Sequence, residues 1–319
     1  MAPAARAALA AAAALALLLL ATPAHGHGIL VHPPSRNWMM YLQKNLPRPH
    51  ELNMGGPWVV SDGGKHRYPD SGRRGTCGDA WNETRWAAPA PVRAAYSAGQ
   101  TLTADVLVVS NHMGRFKMQV CDVGDKQGKG GRCRDLTLKS PGDASTGGNA
   151  TRHWWMPALT QQWEGGNWGG EGPSYGDGTF SAYQLPSISE FAGWGCTGRR
   201  LCDQFRGMWV YRTQWQLPGN FTCEHCKLQW SWMTAHVCWP TCAPGETNIQ
   251  CANRQPYGIC GQPGTAYPEE FVNCADIKIS DAAKTPATAN LPPWNDLAKA
   301  SLKSGAWGAV RPPVLHGRV

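Results

Sequence analysis

The sequence predicts an all-β domain, an antiparallel sandwich or barrel, and three observations carry that prediction. Charged residues make up only 16% of the 319, whereas Gly (37), Pro (25) and Trp (16) are abundant. Several short segments are β-branched, aromatic or alternating with period two. Few stretches sustain a 3.6-residue period, and strands joined by Gly/Pro-rich loops point to sheets packed face to face or closed. The same composition excludes coiled coils, long helical bundles and acidic disordered chains.

Taken in chain order, Leu102–Val109 is rich in β-branched residues, and Arg115–Cys121 places Phe116, Met118 and Val120 on one face. Met208–Leu217 is aromatic and β-prone. Lys227–Met233 alternates Leu228, Trp230 and Trp232, and Ala275–Ser280 alternates Ala275, Ile277 and Ile279. Ser187–Trp194 is the one short helix candidate. Arg36–Arg74 and Lys139–Gly178 read as loop insertions, because Pro and Gly interrupt any period there. After Asp281 the composition turns to Ala, Pro, Lys and Thr, as in a tail or linker. The expected organisation is therefore a leader (1–26), one domain (27–280) and a flexible C-terminal tail (281–319).

Met1–Gly26 has the form of a secretory signal peptide. Arg6 charges its start, Ala7–Leu20 is apolar but short for a bilayer span, and small residues precede two candidate cuts, after Ala24 and after Gly26. The expectation is a secreted, extracellular protein with no membrane anchor. A net charge of +8 is spread without a basic block, so no nucleic-acid partner is expected. The 12 cysteines, all beyond the leader, fit up to six disulfides in an oxidising compartment. Cys223, Cys226, Cys238 and Cys242 have the alternative spacing of a zinc site. Asn82, Asn149 and Asn220 open Asn-x-Ser/Thr tripeptides and are glycosylation candidates.

No nucleophile elbow, zincin helix, Walker loop or dinucleotide fingerprint is present, and no Asp/Glu pair is singled out for glycoside hydrolysis. What stands out is a histidine beside a cleavage site. A cut before His27 would give that residue a free α-amine and an imidazole able to chelate one ion together, followed by a permissive Gly28. A second imidazole would complete a three-nitrogen, T-shaped set, and nitrogen donors in tetragonal geometry select copper.

His27-Gly28-x4-Pro33-x-Ser35-Arg36 after a leader resembles the start of lytic polysaccharide monooxygenases, formerly chitin-binding type-4 domains. Cys77-Gly78-Asp79, Asn111-His112-x-Gly114-x-Phe116, Cys223-x2-Cys226-x-Leu228-Gln229-Trp230 and Glu270-Phe271-x2-Cys274-Ala275-Asp276-Ile277 sharpen the resemblance to the AA15 branch. It spans 27 to about 280. The resemblance implies an immunoglobulin/fibronectin-III-like antiparallel β-sandwich with long loops and several disulfides, and it favours the cut before His27. It implies one copper ion held by His27 and His112, with Phe271 at the axial position where relatives often carry Tyr. Glu269 and Glu270 are candidates for hydrogen bonding near bound oxygen species, or else solvated carboxylates.

The implied activity is oxidative scission of insoluble chitin or cellulose by a monomeric enzyme, using an external electron donor and O2 or H2O2. Trp38, Tyr41, Trp58, Trp154 and Trp155 are candidate sugar contacts. The other histidines (His25, His32, His50, His66, His153, His225, His236, His316) are read as surface or structural, with His32 a rival ligand. Two departures from the family pattern concern the surroundings. A Cys pair common in relatives is replaced near Met54-Gly55-Gly56 and Arg74-Gly75-Thr76, and Trp232-Met233-Thr234-Ala235 replaces a Tyr-His-Thr-Gly type run. The alternatives from other classes are a non-catalytic chitin- or glycan-binding module and a copper-binding carrier.

Overall fold

In the computed structural model, the described residues are 27–43, 49–122, 132–140, 152–156, 182–184, 209–242 and 258–281, apart from short gaps at 71–72, 76, 84–85, 87–89, 236 and 264–266. The expected helix Ser187–Trp194, the 281–319 tail beyond its first residue, the leader and Asn149 lie outside them.

The elements follow in the order β1 (His27–His32), α1 (Arg36–Leu42), a 3-10 turn (Pro49–Glu51), α2 (Gly56–Val60), β2 (Ala94–Ser97), β3 (Thr101–Ser110), β4 (Arg115–Asp122), β5 (Arg132–Asp135), β6 (Thr137–Ser140), β7 (Trp154–Trp155), β8 (Ala182–Gln184), β9 (Trp209–Gln216), β10 (Cys223–Met233) and β11 (Glu270–Ser280). One sheet runs β1-β3-β9-β6 with β8 beside β9; the other runs β2-β11-β10-β4-β5 with β7 beside β4. Every pairing is antiparallel except β11 with β2.

Alternation explains the sandwich. Leu30, Val106, Val108, Tyr211 and Trp215 from the first sheet meet Phe116, Met118, Leu228, Trp230, Trp232, Phe271 and Ile277 from the second in one buried cluster. Aromatic rings fill the gap between layers: Phe116 lies 5.2 Å from Trp230 and 5.1 Å from Trp154. The all-β sandwich expected from the sequence is present, and all five expected strands appear in place.

The 36–74 stretch departs from its expected reading as a loop insertion outside the core. Ser35 caps α1 by accepting from Trp38 N, and all seven residues of the helix are buried. A helix covered on every side has no polar face, so it leaves no period in the sequence. Met40, Cys77, Trp86 and Cys274 form a second apolar cluster, closed by the Cys77–Cys274 disulfide. Beside it Arg36 donates to both Asp276 carboxylate oxygens, at 2.7 and 2.6 Å, and to Trp86 O. Lys227, also buried, donates to Trp86 O at 3.3 Å. Burial, followed by the neighbouring Arg36, lowers its pKa to about 8.

Further disulfides join Cys121–Cys133, Cys223–Cys226 and Cys238–Cys260, and Cys242 is disulfide-bonded as well. The zinc alternative for Cys223, Cys226, Cys238 and Cys242 is thereby overturned, since a bonded sulfur has no thiolate to offer a metal.

Candidate metal centre

His27 opens β1 at the edge of the first sheet, opposite Ser110 of β3. Its side chain is 23% exposed. The next residue leaves little room for a side chain: a Cβ on Gly28 would lie 3.1 Å from the Trp232 ring and 3.2 Å from that of Trp230. The strand start therefore rests directly on two core tryptophans.

His112 lies two residues beyond Ser110, in a turn whose sequence explains its rigidity. Asn111 donates to Tyr211 Oη at 3.0 Å and its Oδ1 accepts from Met113 N at 2.7 Å. Met113 O accepts from the Trp232 indole at 2.7 Å, and His112 O accepts from Ala235 N. Gly114 has φ +84°, and a Cβ there would sit 2.0 Å from Met233 O. Only glycine fits. The Asn-His-x-Gly pattern is thus a pinned loop that presents one buried imidazole.

The carboxylates fall into two groups. Glu269 is buried; its Oε1 accepts from Asn53 at 2.9 Å and its Oε2 lies 3.9 Å from His112 Nδ1. Glu270, instead, accepts from Arg74 at 2.8 Å, and burial raises its pKa against the pull of that guanidinium. Neither is a solvated surface carboxylate. Phe271 is fully buried, its ring 5.4 Å from that of Trp232, where β10 pairs with β11.

One residue read from the sequence as surface or structural has moved to the centre. His50, in the 3-10 turn, is buried, and its ring meets that of His27 edge-on at 5.2 Å. Glu51 Oε1 lies 4.0 Å from His27 Nε2 and 3.8 Å from His50 Nε2. Ligand atoms of His27, His50 and Glu51 fall within 4.8 Å of one another, the one such group of three among the described residues. His112 is outside that group and faces Glu269. No motif marks His50; only proximity to His27 in space reveals it.

Among the aromatic residues expected to touch sugar, Trp38, Tyr41, Trp154 and Trp155 are buried, whereas Trp58 is 73% exposed. It belongs to α2, just after Asn53, the donor to Glu269. Asn82 and Asn220 are both exposed.

Residues 27–170 match the family model described as lytic polysaccharide mono-oxygenase, cellulose-degrading. Its match begins on His27 itself. Two solved structures are similar to this chain. One is a lytic polysaccharide monooxygenase AA15 from Thermobia domestica in the Cu(I) state: 22% identity, 79% of this chain, 98% of that chain, TM-score 0.42. The other is a chitin binding domain from Burkholderia pseudomallei: 12% identity, 80% of this chain, 100% of that chain, TM-score 0.34. No curated protein matches the chain. No helix among the described residues is long and apolar enough to cross a membrane.

Proposed function

We propose that this protein is a secreted, copper-dependent monooxygenase that cleaves glycosidic bonds in crystalline polysaccharide, chitin or cellulose. The observation carrying this reading is that the family match starts on His27, a partly exposed imidazole at a sheet edge with a second candidate ligand, His112, two residues past its strand partner. The donor chemistry fits copper. Removal of the leader before His27 frees an amine that chelates together with the ring, and His112 adds a third nitrogen. Unbonded thiolates, which would favour zinc, do not occur among the described residues.

When bound, copper supplies one-electron redox chemistry, so that O2 with two external electrons and two protons, or H2O2 alone, hydroxylates a C–H bond beside the glycosidic link and releases water. The chain's own residues prepare the place. Gly28 seats the N-terminal strand on Trp230 and Trp232, and Gly114 with Asn111 holds the His112 loop. Phe271 would supply an apolar wall beside the ion, and Glu269 holds a carboxylate beside His112. Trp58 offers a flat apolar face for stacking on sugar rings.

Mature protein beginning at His27, loaded with copper and given ascorbate and chitin or cellulose, is expected to release oxidised oligosaccharides, read by mass spectrometry. Binding without oxidised products would favour the glycan-binding module that Trp58 alone could serve. Tight copper uptake without either would favour the carrier.

A further inference from the structure

We propose that Glu51 and Glu269 are a pair of positioning residues, each holding the non-ligating nitrogen of one copper-binding imidazole. The proposal rests on the copper reading above and goes beyond it by naming a carboxylate partner for each imidazole. The carboxylates approach opposite atoms: Glu51 Oε1 faces His27 Nε2 at 4.0 Å, and Glu269 Oε2 faces His112 Nδ1 at 3.9 Å.

Chelation chemistry makes the first choice meaningful. The amine and Nδ1 of one histidine close a six-membered ring on a metal, whereas Nε2 points away from its own backbone and cannot. The atom that Glu51 approaches is therefore the one that an N-terminal chelate leaves over. A carboxylate accepting from Nε2–H selects the tautomer with its lone pair on Nδ1 and raises the basicity of that nitrogen. At His112 the selection runs the other way, leaving Nε2 for the metal.

These separations exceed hydrogen-bond length, so each contact closes by about an ångström or through one water when the ring is drawn into place. His50 completes the first arrangement. Its Nε2 lies 3.8 Å from the same Glu51 oxygen and its ring packs edge-on against His27, which limits rotation of both. Glu269 is fixed from behind by Asn53 at 2.9 Å, and its backbone carbonyl accepts from Thr234 N at 3.0 Å.

The test uses the mature protein and needs no turnover. Nitrogen-15 NMR of the metal-free protein, above the imidazole titration range, is expected to show His27 protonated on Nε2 and His112 on Nδ1. Glu51→Ala should mix the His27 tautomers and weaken Cu(II) binding about 10–100-fold, read by calorimetry. Glu51→Gln, which keeps an acceptor, should retain the tautomer and lose less. Glu269→Gln gives the matching comparison at His112, isosteric because that side chain is buried. An unchanged tautomer with affinity within about twofold of wild type in Glu51→Ala overturns the proposal. So does loss of a nitrogen coupling from the Cu(II) electron paramagnetic spectrum in His50→Ala, which would make His50 a ligand. Failure of the wild type to bind Cu(II) would sink the copper reading instead, while the metal-free tautomers still decide the placement of the carboxylates.

Discussion

Two polar clusters occupy this domain, and they are built to different tolerances. Behind the second sheet, Arg36 grips Asp276 through two bonds at 2.6–2.7 Å and also reaches Trp86 O, so opposite charges are matched within the protein. At the sheet edge, Glu51 lies 4.0 Å from His27 and 3.8 Å from His50, and Glu269 lies 3.9 Å from His112. The first cluster is complete in itself and locks a helix onto a sheet. The second gathers imidazoles and carboxylates in looser pairs, the chemistry a metal centre draws on.

The largest expected effect comes from the second cluster. His112→Ala should remove the type-2 Cu(II) spectrum and reduce oxidised products to background; an unchanged spectrum would take His112 out of the site. The ionic cluster should respond in the opposite currency. Asp276→Ala leaves Arg36 buried without its carboxylate and is expected to cost about 3–5 kcal/mol, lowering Tm by on the order of 10 °C. Replacing Arg36 and Asp276 together by apolar residues should recover much of that loss. Recovery that fails in calorimetry would show the pair contributing more than charge matching.

Smaller effects sharpen the contrast. Trp58→Ala, at an exposed position, should leave Tm unchanged and weaken retention on chitin or cellulose several-fold, as loss of about 1 kcal/mol of stacking implies. A pull-down isotherm measures it. The smallest concerns Lys227, whose pKa burial lowers to about 8 from 10.5. Between those values the unfolded chain keeps a proton that the folded one has shed, so this group makes stability rise with pH across roughly 8 to 10.5. Lys227→Met should flatten that slope in denaturant titrations, while the same slope in the variant would assign it to other groups.

How much of this was legible in the sequence depended on periodicity and motif. Strands β3, β4, β9, β10 and β11 announce themselves by alternation or β-branched runs, and β10 and β11 extend further toward their N-termini than that pattern shows. β1 is buried along most of its length and α1 on all sides, so neither carries a polar face to reveal its period. The glycine in Asn111-His112-Met113-Gly114 was readable as part of a motif, but its cause, the carbonyl of Met233, is a long-range contact. His50 lies in a Pro-flanked stretch with no spacing to recommend it and became a candidate only through its distance to His27. Five aromatic residues looked equivalent as sugar contacts; residue type does not encode exposure, and four of them are buried.

The Cys77–Cys274 bridge spans 197 positions, and it ties the region after α1 to the last strand of the sandwich. That strand and the residue before it also bring Glu269, Phe271 and Asp276. Synthesis runs from the N-terminus, so the first residues of the centre must wait for nearly the whole domain to leave the ribosome before their counterparts arrive. Contacts so distant in sequence close slowly. Premature termination between residues 112 and 269 would therefore leave both imidazoles without Glu269 and Phe271 and Cys77 without its partner.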